Sequence, residues 1–300
     1  SGVQAVARAS GLLRALGLAA ADALLPPVPS RFLVPDGRVA PASRPHHVAV
    51  DHVALFAGCV MSTLFAETDR NTVAVLNACG CSVELTAGQG CCGALHAHTG
   101  DTAGARRLAE RNIAAFERSR TEAIIVNAAG CGNMLKKYPE LFEGDPSWHA
   151  RARRFAERVQ DVTEYLDALP DRPAPGRLEA TATYQDACHL AHAQRITAAP
   201  RRLLQSIPGL RLVEMEESAL CCGSAGIYNL AQPRMATVLR ERKLDRALST
   251  QPDIIVTANP GCLLQMRAGL AQRKAQVPVA HIIDLLAEAY KRVPRRETSA

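Results

Sequence analysis

Ten cysteines are spread through the 300 residues, and eight of them form a pattern. Gly90-Cys91-Cys92-Gly93-Ala94 and Leu220-Cys221-Cys222-Gly223-Ser224-Ala225-Gly226 each place two adjacent thiols before a glycine. Superposing these triplets brings Cys59 onto Cys188 and Cys131 onto Cys262, with offsets of 129 to 131 residues. The register extends to residues without thiol chemistry. Gly80 falls on Gly209, Val83-Glu84-Leu85 on Val213-Glu214-Met215, and Ile124-Ile125-Val126-Asn127-Ala128 on Ile254-Ile255-Val256-Thr257-Ala258. Self-similarity of this length marks an internal duplication. Each copy carries four thiols: Cys59, Cys91, Cys92 and Cys131 in the first, Cys188, Cys221, Cys222 and Cys262 in the second.

Four converging thiols need a chemical reason. Four-cysteine zinc sites usually draw on C-x2-C knuckles, whose spacing turns both sulfurs toward one ion. Adjacent cysteines chelate a single small ion poorly, because neighbouring side chains of an extended segment point apart. A cluster of several irons offers separate attachment points, and thiolates are its usual ligands. The glycine after each pair lets the backbone turn closely around a bulky inorganic core. An iron–sulfur cluster is therefore the reading these residues favour. Zinc, a redox-active dithiol and buried cysteines without special role stay open beside it. Cys79 and Cys81 have no counterpart in the second copy. Cys81 alternates with Val83 and Leu85 on one face of a strand, and both cysteines are expected in the core, with room for Cys79 as an accessory ligand. His96, His98, His189 and His192 are near the thiols in sequence. They are expected at the surface or behind the sulfurs, where an imidazole can donate to a cluster or ligate it.

The elements that must position these residues alternate between short apolar runs and helical patterns, the mark of an α/β fold. The strand runs expected are 53–57, 82–86, 123–127 and 161–165 in the first copy, and 181–185, 211–215, 253–257 and 279–283 in the second. Between them Ala105, Leu108, Ala109, Ile113 and Phe116 share a helical face. Pro200 and Pro233 suit first turns, and Gly80 and Gly209 suit helix ends. Two pseudo-symmetric repeats follow, each a small, mostly parallel sheet flanked by helices. A helix and extended arm span 1–45, the first repeat 46–170 and the second 171–300, joined through the Pro-rich stretch 169–176. Every repeated cysteine is then expected on a loop at a strand's C-terminal end, the edge where such sheets bind ligands and helix N-termini favour anions.

Composition narrows the function further. The net charge of +6 comes with only 4% aromatic residues, which argues against nucleic acid. Short basic runs such as Arg151-Ala152-Arg153-Arg154 and Lys291-Arg292-Val293-Pro294-Arg295-Arg296 read as solvated faces or docking surface for an acidic partner. Ten cysteines in a chain of this length suit a reducing compartment better than a secreted disulfide scaffold. The apolar run Ala15–Ala21 is too short to span a bilayer and reads as an amphipathic packing helix. No G-x-G-x-x-G, P-loop or G-x-S-x-G is present, so nucleotide binding and serine catalysis have no support.

The sequence resembles the cysteine-rich CCG-domain proteins, which include the B subunit of heterodisulfide reductase and, more closely, the iron–sulfur subunit of glycolate oxidase. The residues that carry the resemblance are Phe56-Ala57-Gly58-Cys59-Val60, Gly90-Cys91-Cys92-Gly93-Ala94-Leu95, Ala128-Ala129-Gly130-Cys131-Gly132, Asp186-Ala187-Cys188-His189-Leu190, Leu220–Gly226 and Thr257-Ala258-Asn259-Pro260-Gly261-Cys262. The resemblance implies an electron-transfer subunit, with the eight repeated cysteines as cluster ligands. A flavoprotein partner carrying FAD would oxidise glycolate or a related 2-hydroxy acid. Electrons would then pass through this chain toward a quinone-type membrane acceptor. It implies a cytoplasmic protein, at most peripheral at the inner face of the membrane. Where heterodisulfide reductase relatives add a fifth ligand for a noncubane cluster, this chain has Met134 and Gln265, so a four-thiolate 4Fe–4S cluster is expected. Glycolate oxidase relatives usually carry an N-terminal ferredoxin module with C-x2-C-x2-C-x3-C-P runs. None occurs here, so that module is expected to have been removed or to belong to another polypeptide. A thiol–disulfide reductase subunit and a metal-stabilised scaffold module are the rival functions.

Overall fold

The computed structural model describes residues 51–293 throughout, residues 28–43, and residues 6, 9–16 and 22 near the N-terminus. The expected N-terminal helix falls partly outside these: one turn, Leu12–Ala15, is described, whereas residues 17–21 and the basic residues 295 and 296 are not.

Nine strands form two sheets among the described residues. The first contains β1 (Val39–Ala40), β2 (His52–Phe56), β3 (Ser82–Glu84), β4 (Ala123–Val126) and β5 (Val159–Asp161), in the order β1-β3-β2-β4-β5. The second contains β6 (Ala180–Tyr184), β7 (Leu210–Leu212), β8 (Ile254–Thr257) and β9 (Val279–His281), in the order β7-β6-β8-β9. Apart from β1, the two sheets have one topology and every pairing in them is parallel. The helices are α1 (Val60–Leu64), α2 (Ala66–Ala78), α3 (Ala94–His98), α4 (Thr102–Glu117), α5 (Ala129–Lys136), α6 (Pro146–Glu157), α7 (Val162–Ala168), α8 (Ala198–Gln205), α9 (Tyr228–Ala231), α10 (Pro233–Leu248), α11 (Pro260–Gln272) and α12 (Ile282–Lys291).

The apolar runs become strands because their Val and Ile side chains can be buried on both faces. All four residues of β4 are buried, as expected for a central parallel strand covered on both sides by helices. The fourth strand of each repeat is shorter than the sequence suggests, and in the first repeat it also starts two residues earlier. Asp161 accepts a hydrogen bond from the Thr163 N–H at 2.8 Å and caps α7, so the run 161–165 stops being a strand at its first residue. His281 does the same in the second repeat, where its Nδ1 accepts from the Ile283 N–H at 3.2 Å. The second strands are shortened too, to Ser82–Glu84 and Leu210–Leu212, and the arm expected to be merely extended adds an antiparallel strand, pairing Val39 with Glu84 and Ala40 with Val83.

The two sheets share a core through an exchange of helices. Helix α2 of the first repeat packs on α12 of the second, and α8 of the second packs on α7 of the first. Leu76, Leu166, Leu203 and Leu286, one from each of these helices, are fully buried in one continuous cluster. Burial of each contributes about 2 kcal/mol. This exchange holds the C-terminal edges of both sheets in a fixed relation.

Candidate functional site

In each sheet the strand order reverses beside the first strand of the repeat, between β2 and β4 and between β6 and β8. Loops leaving such neighbours run to opposite faces and open a crevice at the C-terminal edge. The thiols collect there. Cys59 follows β2 and sits at the N-terminus of α1, while Cys188 follows β6 and precedes the π-helical turn His189–Ala193. Cys131 and Cys262 were expected on loops but lie in the first turns of α5 and α11, because the helices start almost at once after β4 and β8. Their sulfurs therefore sit at the positive ends of two helices.

The paired cysteines arrive on the longer loops after β3 and β7. Gly93 and Gly223 take left-handed conformations, with φ of 84° and 86°, and turn the chain so that their N–H groups face back to the preceding sulfurs. The Gly93 N–H donates to Cys91 Sγ at 3.4 Å, and the Gly223 N–H to Cys221 Sγ at 3.3 Å. A Cβ on Gly223 would stand 2.4 Å from the Ala236 carbonyl oxygen, so no other residue fits without moving α10.

Each quartet is chained by sulfur–sulfur hydrogen bonds. Cys92 Sγ lies 3.3 Å from Cys131 Sγ, and Cys222 Sγ lies 3.3 Å from Cys262 Sγ. Interaction with the neighbouring Cys59 thiol, and then with Cys92, holds Cys91 well below the ordinary thiol range, and Cys188 and Cys222 do the same to Cys221. The partners are pushed up in turn: Cys59 by sharing its proton with Cys91, Cys188 by sharing with Cys221. In the second repeat Cys262 is also lowered, first by the Cys222 thiol and further by the Asn259 amide. The quartets are thus poised to become thiolates once a cation takes the shared protons' place.

The donor set suits an iron–sulfur cluster better than one zinc ion. Among the described residues no three His, Cys, Asp or Glu side chains are placed to hold a single metal ion. At a metal–sulfur distance of about 2.3 Å, two thiolates on one tetrahedral ion stand roughly 3.8 Å apart and thiolates on separate irons stand farther, so the 3.3 Å pairs are thiol contacts that open when either group binds. Four thiols on separate loops and helix starts, with glycine where the backbone passes, supply the single attachment per iron that a cluster requires.

Both quartets border one cavity of about 390 Å³ between the repeats. Cys59, Cys91, Cys92 and Cys131 reach it from one side, and Cys188, Cys222 and Cys262 from the other. Its walls are otherwise mostly apolar, with Met61, Leu95, Leu230 and Leu264 prominent. The helix starts are pinned across this interface: the Gly130 N–H donates to Asn259 Oδ1 at 3.1 Å, and Gln194 Nε2 donates to the Ala129 carbonyl at 3.0 Å.

Of the four histidines, two reach the cavity. His98 and His189, one from each repeat, line it and stack with ring centroids 5.8 Å apart. His96 instead pairs with Asp101 at 2.7 Å, and His192 bonds the Ala219 carbonyl at 2.9 Å, bracing the loop before Cys221. Cys79 and Cys81 are buried in the shared core beside tyrosine hydroxyls, 3.6 Å from Tyr290 and 3.4 Å from Tyr165. Met134 is buried in the core of the first repeat. Gln265 is buried too, with Oε1 accepting from Asn229 Nδ2 at 3.2 Å.

Sequence reasoning missed the residues that hold the paired-cysteine loops from behind. Asn112 is fully buried; it accepts from the Gly90 N–H at 2.8 Å and donates to the Cys91 carbonyl at 2.9 Å. Lys243 is fully buried as well, and its Nζ donates to the carbonyls of Glu217, at 3.0 Å, and Ser218. Burial lowers the Lys243 amine, and the charges of Cys222, Cys262, Asp186 and Cys221 act the other way.

Residues 53–136 and 182–267 match the cysteine-rich domain named CCG. The chain belongs to the CCG cysteine-rich domain family. Both matched segments enclose one CCG quartet each. Over 296 residues the chain is 40% identical to the probable glycolate oxidase iron–sulfur subunit of Bacillus subtilis, covering 96% of this chain and 66% of that protein. It thus spans just under two thirds of that relative. It is 30% identical to lactate utilization protein A of an Exiguobacterium species, covering 80% of this chain and 98% of that protein. The crystal structure of a hypothetical protein from Helicobacter pylori has the same fold, with a TM-score of 0.57 and 11% identity, over 92% of this chain and 54% of that one. Among the described residues no helix is long and apolar enough to cross a membrane.

Proposed function

We propose that this CCG protein is the iron–sulfur electron-transfer subunit of an oxidase or dehydrogenase acting on glycolate or a related 2-hydroxy acid. One observation carries the reading: all four thiols of the first quartet and three of the second, Cys188, Cys222 and Cys262, face a single, mostly apolar cavity. The cysteine-rich domain and the relatives' names, a glycolate oxidase iron–sulfur subunit and lactate utilization proteins, support an iron–sulfur role in an oxidoreductase complex. Cys59, Cys91, Cys92 and Cys131 would hold one cluster, and Cys188, Cys221, Cys222 and Cys262 the other. Gln265 and Met134 offer no fifth thiolate, which favours the four-thiolate 4Fe–4S form over a noncubane one. We take 46–170 and 171–300 as the two repeat domains.

When bound, such clusters accept and release one electron at a time. The chain's own residues do the rest. The α5 and α11 N-termini and the Gly93 and Gly223 N–H groups stabilise negative charge on sulfur. Leu95, Leu230, Leu264 and Met61 give the space between the quartets an apolar lining that suits the ring of a quinone-type acceptor. A flavoprotein partner bearing FAD would oxidise the 2-hydroxy acid and deliver the electrons. The setting is cytoplasmic, with contact to the inner face of the membrane where the acceptor resides.

Anaerobic purification with iron and sulfide quantitation tests the proposal, together with spin-resonance spectra before and after reduction. The expected result is iron and sulfide in both repeats and a signal on reduction. Anaerobically prepared, folded protein that takes up neither would overturn it. If that metal-free protein also reduced a disulfide substrate, the dithiol reading would replace it.

A further inference from the structure

Helices α4 and α10 are equivalent in the duplication, each 16 residues long, and each carries its loop-holding residue at the same place: Asn112 in α4 and Lys243 in α10. Both are fully buried behind the loop that delivers the paired cysteines. The first is a neutral amide bonded to Gly90, the Cys91 carbonyl and the Tyr138 hydroxyl. The second is an ammonium bonded to two carbonyls just ahead of Cys221.

A buried unit charge acts strongly because little water screens it. Asp186, the carboxylate that acts on this ammonium, has its own cation. It is held by Arg201, whose Nη1 and Nη2 donate to it at 2.9 and 2.8 Å. The first repeat has no buried cation of this kind among its described residues: Arg111 donates to the Gly88 and Gln89 carbonyls ahead of Cys91, but it is exposed, so solvent screens its charge. His96 is near Cys91, but it is about half exposed and paired with Asp101, so solvent and the carboxylate blunt its effect. One further difference points the same way. Asn259 Nδ2, three residues before Cys262, donates to its Sγ at 3.7 Å, whereas the residue three before Cys131 is Ala128, which has no side-chain donor.

We propose that Lys243 gives the second repeat's site a higher reduction potential than the first, so that electrons entering the chain come to rest in the second repeat. The inference rests on the reading of both quartets as cluster ligands. A negative charge added on reduction is stabilised by the ammonium in one repeat and by no such group in the other. The balance is one electron lost by the first site and one gained by the second, with no bond made or broken. Lys243 is a positioning residue for the loop and a tuning residue for the site it backs.

A spin-resonance redox titration of the anaerobically reconstituted full chain tests this. In Cys92→Ser only the second repeat's signal should remain, and in Cys222→Ser only the first's. The second should titrate at the higher potential, by at least a tenfold difference in the reduced-to-oxidised ratio, which is 59 mV for one electron. Lys243→Gln, which can still donate to the loop carbonyls, should lower the second signal by a similar ratio and leave the first in place. Lys243→Arg, which keeps the charge, should stay near wild type. Equal potentials, a reversed order, or a Lys243→Gln shift that is absent or common to both signals would overturn the inference. Repeats that fold but take up no iron would instead overturn the cluster reading, and this inference with it.

Discussion

The two repeats have one topology and one set of four thiols, yet they build different surroundings for them. In the first, Cys59 is exposed, Cys131 is half-buried, and the supporting side chain behind the loop is neutral Asn112. In the second, Cys222 and Cys262 are both buried, Asn259 donates to sulfur, and Lys243 brings a positive charge. Buried carboxylates are handled differently too. Asp186 is neutralised by Arg201. Asp69, buried beside Asn127, has no cation bonded to it, and burial raises its pKa to about 8. The duplication thus kept the sulfur geometry and let the electrostatics diverge. The lesson is that topology and glycine place the thiols, whereas residues several positions away decide how each set behaves.

The largest effect expected is on metal content. Cys92→Ser should lose the first repeat's iron and keep the second's, and Cys222→Ser should do the reverse, each leaving about half the wild-type iron per chain. Iron and sulfide assays on anaerobic protein check this, and loss of all iron from either variant would break the picture of two independent sites. Next comes stability. Gly93→Ala and Gly223→Ala share a left-handed penalty of about 1–2 kcal/mol. At Gly223 the new Cβ also meets a carbonyl oxygen at 2.4 Å, against 3.4 Å to the nearest atom at Gly93. Denaturant unfolding should therefore show Gly223→Ala costing on the order of 2 kcal/mol more than Gly93→Ala.

One carboxylate gives a pH-dependent effect. Asp69 binds its proton up to about pH 8 when folded, and loses it near pH 4 when unfolded. The unfolded chain therefore holds fewer protons in that window, and this group's contribution to stability falls as pH rises from about 4 to about 8. Asp69→Asn should flatten that part of the stability profile, as read by denaturant unfolding across the same pH range. Smallest should be the effect of Cys79→Ser and Cys81→Ser, which have no counterparts in the second repeat: iron content unchanged, and stability lowered by about 1 kcal/mol. Iron lost from Cys79→Ser would restore that residue as an accessory ligand.

Much of this architecture was legible in the residues. The Ile-Ile-Val runs and their repetition located the central strands, and the offsets of the cysteines located the crevice. The strand ends were less legible, because a single capping side chain decides them: Asp161 and His281 turn apolar runs into helices. The arm strand β1 depends on pairing with β3, a partner more than forty residues away, which two residues of local sequence do not announce. Lys243 and Asn112 were hidden for another reason. Each looks like an ordinary polar residue on an amphipathic helix, and only the packing of α4 and α10 against the loops turns them inward. The signal that could have found them was the duplication itself, since they occupy one place with different charge.

The central claim is that two loaded quartets face one cavity, and the most direct measurement is the spin-resonance spectrum of the fully reduced, anaerobically reconstituted chain. The account predicts a spectrum broadened by interaction between two reduced clusters, which simplifies to that of an isolated cluster in Cys92→Ser and in Cys222→Ser. A fully reduced spectrum equal to the plain sum of the two variants' spectra, or one arising from a single quartet, would contradict it.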